Sequence, residues 1–212
     1  MMKIVCISDT HSRHDLVTVP DGDVLIHAGD CTGRGSENDL IALNHWLSLQ
    51  PHQHKILIAG NHDKLFETEP ARARELITSA IYLEDSGVDI EGVSFWGSPW
   101  TPAFFDWHFM RERGAPMADV WESIPVGTDV LITHGPPMGI LDEVPRGAED
   151  IEHTGCADLM MAVLRVRPKF HVFGHIHEGY GTSEIDGTLF INASSLDERY
   201  RPVNPPIVFD IS

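Results

Sequence analysis

With 212 residues, 42% of them hydrophobic, the chain can bury a substantial core, and its length favours one domain over residues 1–212. A formal net charge of −17 repels polyanions over most of the surface, which argues against duplex nucleic acid as a partner and requires any phosphate chemistry to use a locally positive site, such as a bound metal. The three cysteines, Cys6, Cys31 and Cys156, lack C-x-x-C spacing and suit a reducing compartment; no apolar run approaches a membrane span, so the expected location is cytoplasmic with no membrane partner.

Residues 3–8, 24–28 and 55–59 are short, β-branched-rich apolar runs, and each ends at a polar motif: "SDTH", "GDC" and "GNHD". They predict buried strands with chemistry at their C-terminal ends. Between the second and third, "SENDLIALNHWLSLQP" opens with a capping serine, sets Leu40, Leu43 and Leu47 at helical spacing and stops before Pro51. A second helix is expected over 70–80, then short strands at 88–90 and 93–97. The stretch 97–116, "GSPWTPAFFDWHFMRERGAP", reads as a long loop rich in aromatics. "DVLITHGPP" and "KFHVFGHIH" again end apolar strands in polar loops, with a helix over 157–166 between them that Pro168 closes. The C-terminal third predicts antiparallel strands with "DG" at a hairpin turn.

The strand ends together offer Asp9, His11, Asp30, Asn61, His62, Asp63, His134, His175 and His177. His175 and His177 are two apart and face one way, so both imidazoles can converge on one object. Carboxylate, imidazole and amide oxygen form a mixed set suited to two divalent transition-metal ions, Mn or Fe by preference, with Zn, Co or Ni accommodated. Asp30 can bridge two ions through its two oxygens. Such a pair binds a shared water, lowers its pKa and clamps an in-line displacement, the chemistry of phosphate-ester hydrolysis.

The motifs "DTH", "GD", "GNHD", "THG" and "GHIH", in this order and over nearly the whole chain, resemble the calcineurin-like metallophosphoesterase superfamily. "GSPW", "THGPP", "HVFGHIHEGYG" and "NPPIVFD" are further similar to the short metallophosphoesterase-domain-containing proteins related to class III cyclic nucleotide phosphodiesterases. The resemblance implies an α/β fold, a four-layer α-β-β-α sandwich of two mixed β-sheets. It implies one metal on Asp9, His11 and His177, a second on Asn61, His134 and His175, and Asp30 between them. His62 matches the family's non-ligand histidine, which protonates or hydrogen-bonds the leaving oxygen, with Asp63 orienting its imidazole. Where ferric-iron members of the superfamily carry a tyrosine, this chain has Gly33, which argues against a purple ferric site.

The expected function is therefore a dinuclear metal-dependent phosphodiesterase for small or cyclic phosphodiesters or nucleotides, by in-line attack of a metal-bridging hydroxide. A small-molecule phosphomonoesterase or a protein phosphatase is the alternative within the enzyme class. A fold retained as a binding or scaffold module is the alternative outside it, but that reading expects eroded ligands, and all seven positions and His62 are present. Arg13 is a candidate phosphate contact, set against a surface ion pair. Trp100 and Trp107, with Phe104 and Phe105, are candidates for capping the site and stacking on a base or an aromatic alcohol, set against plain hydrophobic cover. Cys31 and the remaining histidines read as buried or solvated groups without a role.

Overall fold

The β-branched runs at 24–28 and on either side of it form neighbouring parallel strands, as continuous apolar sequence buried on both faces requires. The computed structural model, which describes residues 1–147 and 150–212, places them at Met2–Ile7, Val24–Ala28 and His54–Ile58. They belong to a five-stranded sheet with the order Ile207–Ile211, Met2–Ile7, Val24–Ala28, His54–Ile58 and Ile81–Tyr82; Ile207–Ile211 pairs antiparallel and the others pair parallel. A six-stranded sheet has the order Gly181–Ile185, Thr188–Asn192, Phe170–Phe173, Val130–Thr133, Val93–Ser98 and Ser86–Ile90. Its four inner strands run parallel, and each edge strand is the antiparallel hairpin partner of its neighbour.

Side-chain alternation builds the layers. Ile4 and Cys6 face the second sheet, where Ile26 and Ile58 meet Phe95, Ile132, Val172 and Ile191, while Val5 and Ile7 point the other way. The outer face of the first sheet is covered by helix Glu37–Leu49 through Leu40, Leu43 and Leu47. Ser36 starts that helix in a reciprocal capping box with Asp39. Helices Ala115–Glu122 and Ala157–Val166 cover the second sheet through Met117, Trp121, Leu159 and Val163. The result is the α-β-β-α sandwich of two mixed sheets that the resemblance implies.

Three local expectations shift. The helix expected over 70–80 ends at Leu76, because Ile77 turns extended to enter the strand Ile81–Tyr82, and a separate helical turn, Lys64–Thr68, precedes it. The stretch 97–116 is not one loop. Thr101–Pro102 and Met110–Arg111 pair as short parallel strands and gather the residues between them into an excursion, and helix Ala115–Glu122 starts with Pro116 in its first turn. Helix Ala157–Val166 ends on Arg167 in the left-handed conformation, its N–H bonded to the Val163 carbonyl, before Pro168. The "DG" hairpin holds: Asp186 and Gly187 both have positive φ, 51° and 83°, as a type I′ turn needs. Among the described residues no helix is long and apolar enough to cross a membrane.

Candidate metal centre

Parallel strands point one way, so the residues following Ile7, Ala28, Ile58, Thr133 and Phe173 gather on one rim of the sandwich. A parallel bridge between Ser8 and Ser194 joins the two sheets there. His11 Nε2 and His177 Nε2 lie 3.4 Å apart, and His177 Nε2 is 3.6 Å from Asp9 Oδ1. Asp30 divides its carboxylate. Oδ2 is 3.7 Å from His11 Nε2 and 3.9 Å from His62 Nε2, whereas Oδ1 is 3.3 Å from His134 Nε2. Asn61 Oδ1 lies 3.1 Å from that same His134 nitrogen.

Three groups of donors, Asp9 with His11 and His177, His11 with Asp30 and His62, and Asp30 with His134 and His175, each keep their ligand atoms within 4.8 Å of one another and could each hold a metal ion. The donor chemistry fits a divalent ion. His134 Nδ1 donates to the Ala28 carbonyl at 3.0 Å and His177 Nδ1 to the Asp197 carbonyl at 2.9 Å, which leaves Nε2 of each ring free to ligate.

The calcineurin-like phosphoesterase model matches residues 2–179. The chain belongs to the calcineurin-like phosphoesterase family. Metallophosphoesterase domain-containing protein 1 of Homo sapiens is 44% identical over 233 residues, covering 99% of this chain and 71% of that protein, and its Mus musculus counterpart matches to the same extent. Among solved structures, TT1561 of Thermus thermophilus is similar with a TM-score of 0.62 at 12% identity, covering 99% of this chain and 98% of the other. The phosphopantetheinyl hydrolase of Mycobacterium tuberculosis aligns with a TM-score of 0.55 at 17% identity over 93% and 90% of the two chains. At these identities both show the fold alone.

As a calcineurin-like phosphoesterase the protein has a dinuclear metal-binding site typical of that family, and its electrostatics suit cations. Burial opposes charge on His134 and His177, but Asp30 beside the first and Asp9 beside the second outweigh it and raise each to about 9. Burial dominates at His11, pushed down to about 4 despite Asp30, and at His175, pushed down to about 3. Against their own burial, Asp9 and Asp30 are held well below the usual carboxylate range, Asp9 chiefly by His177 and Asp30 by His134.

The backbone of this phosphoesterase site is strained where the donors sit. Asp9, His11, Asp30 and His175 have φ of 52°, 43°, 51° and 68°, a region that costs non-glycine residues about 1–3 kcal/mol each. Surrounding bonds hold them there: the His11 N–H donates to the Asp30 carbonyl at 3.0 Å, and the His175 N–H to both Asp9 oxygens at 3.1 and 3.0 Å. Gly174 makes room, since a Cβ there would stand 2.0 Å from Asp9 Oδ2.

Asp63 requires a correction. Expected to orient His62, it instead accepts from the N–H groups of Cys31 at 3.1 Å, Thr32 at 2.9 Å and Gly60 at 2.8 Å, and from Thr32 Oγ1 at 2.7 Å. Those four bonds occupy its oxygens, and the His62 ring is set by Nδ1 on the Gly33 carbonyl at 3.1 Å. Burial, with Asp30 nearby, pushes Asp63 up to about 6. Arg13 turns its guanidinium to the Tyr200 carbonyl. Trp100 donates Nε1–H to Asp85 at 2.8 Å, and its ring meets Phe109 in a T-shaped contact at 5.4 Å and the Arg111 guanidinium at 4.2 Å. Trp107 stands edge-on to His62 with ring centroids 4.2 Å apart. Sequence reasoning missed Tyr200, whose ring meets His11 at 4.9 Å and His177 at 5.3 Å. No motif marks it.

Proposed function

We propose that the protein is a dinuclear metal-dependent phosphodiesterase acting on small or cyclic phosphodiesters. The observation that carries this reading is Asp30, whose two oxygens face different histidine groups, Oδ2 toward His11 and Oδ1 toward His134. In this reading Asp9, His11 and His177 hold one ion, Asn61, His134 and His175 hold the other, and Asp30 serves both. Mn or Fe fits the mixed oxygen and nitrogen set best, with Zn, Co or Ni accommodated.

Two divalent ions bound there supply Lewis acidity and water of lowered pKa. The side chains around them position the ester and move its proton. His62, fixed through Nδ1 on Gly33, presents Nε2 toward Asp30 and is the group that gives a proton to the leaving oxygen. Trp107 and Phe104, beside His62 and His175, limit water around the reacting ester. Asp63 acts at one remove, by tying the loop after Asp30 to the loop before Asn61.

The preference for diesters has an electrostatic basis. A monoester near neutral pH carries close to two negative charges and a diester one, while the chain carries −17 and Arg13 is bonded to a carbonyl rather than turned to the site. Metal-reconstituted protein assayed on cyclic diesters, linear diesters and monoesters tests the reading. Higher kcat/KM on diesters is expected. A monoester preference would make the protein a phosphomonoesterase, and no turnover with two ions bound would leave a binding module.

A further inference from the structure

Helix Ala157–Val166 turns Leu159, Val163 and Val166 onto the second sheet, and the same period leaves Met161 and Leu164 on its outer crest, 67% and 47% exposed. Two large apolar side chains thus stand in water on one helix. Beside the crest, this helix and Ala115–Glu122 enclose a hollow of about 340 Å³ that has Ala162 and Trp121 at its floor. On the other side of the crest, Ile185 extends the apolar surface next to Leu164.

The helix contributes Asp158, Met161, Ala162 and Arg165 to the hollow. Positions i, i+3, i+4 and i+7 are the four corners of a hole that receives one side chain of a facing helix. The centre of this hole falls between Met161 and Ala162, with an acid three residues before that pair and an arginine three residues after it. The row is therefore its own complement. A second copy of the helix, crossing antiparallel about that centre, sets Asp158 of each chain opposite Arg165 of the other, and each Met161 enters the partner's hole beside the small Ala162.

Within one chain the two charges cannot meet, because seven residues of helix hold them about 10 Å apart along the axis. Asp158 accepts from the Gly114 N–H at 3.0 Å, and Arg165 donates to the carbonyls of Ile124 at 3.0 Å and Trp121 at 2.8 Å. Among the described residues both charges are thus bonded to neutral groups only. The surrounding field permits a like chain to approach: the hollows on the two sides of the crest are lined by three acids and two arginines, whereas the whole chain sets 32 acids against 15 lysines and arginines.

We propose that this crest and hollow form the two-fold interface of a homodimer, with a second copy of the chain as the occupant and reciprocal Asp158–Arg165 pairs fixing the register. Antiparallel crossing also sets the N-terminus of each helix beside the C-terminus of the other, which their dipoles favour. None of these residues is a metal donor, so the inference stands apart from the hydrolase reading.

Sedimentation velocity on the full chain with metal ions supplied, from about 1 to 300 µM, tests it. The unaltered chain is expected to pass from monomer to dimer over that range, and Met161→Lys to raise the dissociation constant about tenfold or more. Asp158→Lys and Arg165→Glu each set like charges opposite one another and are expected to weaken the dimer about tenfold or more on their own. An equimolar mixture of those two variants should dimerise again, because each altered side chain then faces the opposite charge on the other chain. If either charge variant fails to fold, Met161→Lys, made at an exposed position, decides alone. A chain that stays monomeric throughout would overturn the proposal and leave the face to a different partner. A dimer that Met161→Lys leaves intact would also overturn it, by placing the interface elsewhere.

Discussion

The strand-end loops and the excursion between Thr101–Pro102 and Met110–Arg111 meet at one site but are built on opposite terms. The strand ends are buried, and four of their donors sit in the left-handed region, over-determined by backbone bonds and by glycines that leave no room for a Cβ. The excursion carries Phe104, Phe105 and Trp107 partly exposed, and the bonds that close it, Thr101 to Phe109 and Ala103 to Arg111, lie at its base. Groups that must hold fixed charges at fixed spacing are placed at strand ends, whereas the aromatic side chains of the excursion stand where they can adapt.

The largest test of that contrast is Asp30→Ala, which removes the one carboxylate facing both histidine groups. Outer partners of metal ligands are worth roughly 10- to 100-fold, so losing a shared donor is expected to cost more than about 100-fold in turnover together with at least one ion, read by metal analysis and kinetics. Full metal content with normal turnover would refute the arrangement. His62→Ala is expected to lower kcat by about 10² to 10⁴ with both ions retained; loss of an ion would instead make His62 a ligand, which its proximity to Asp30 and His11 permits.

Gly174→Ala probes the scaffold alone. Its Cβ displaces Asp9, and metal affinity is expected to fall about 10- to 100-fold with every donor still present. On the excursion, Trp107→Ala removes an edge-on contact worth about 0.5–1.5 kcal/mol and should lower kcat by about 2- to 12-fold for all esters. Trp100→Ala should leave kcat near normal and lower unfolding free energy by about 2–3 kcal/mol. Equal effects of the two substitutions on kcat would erase the distinction between cover and site.

A further effect lies outside both regions. Burial holds His171 down to about 3, below the ordinary 6.5, with Nε2 bonded to Thr133 Oγ1 at 2.8 Å and Nδ1 without a partner among the described residues. Between those values the unfolded chain binds a proton that the folded chain does not. Stability therefore falls as pH drops through that window, by up to about 1.4 kcal/mol per pH unit. His171→Phe should flatten this slope between pH 6.5 and 5 in urea titrations; an unchanged slope would assign the acid sensitivity to other groups.

The sandwich was legible because strands buried on both faces read as unbroken apolar runs, and a run that ends in a polar motif marks the rim. Helix Ala157–Val166 likewise falls on its apolar period. Helix Ala115–Glu122 escaped notice because eight residues opening on Gly-Ala-Pro look like a turn. The clustering of the polar motifs was also legible, but partners set by tertiary geometry were not. Asp63 follows His62 in sequence, yet consecutive side chains at a helix start diverge, and its bonds go to a loop thirty residues earlier. Tyr200 reaches His11 because its N–H closes a turn on the Asp197 carbonyl, the same carbonyl that orients His177.

Two of the three donor groups draw on both sheets. Asp9 and His11 follow a strand of the first and His177 a strand of the second; Asp30 leaves the first, His134 and His175 the second. An ion held by either group is thus a clasp across the sandwich, closing an interface otherwise held by non-directional apolar contact. Metal affinity then adds directly to the free energy of unfolding, by about 2.7 kcal/mol when free metal is 100 times its dissociation constant. An ion bound across the two sheets would therefore resist their separation as well as serve the site.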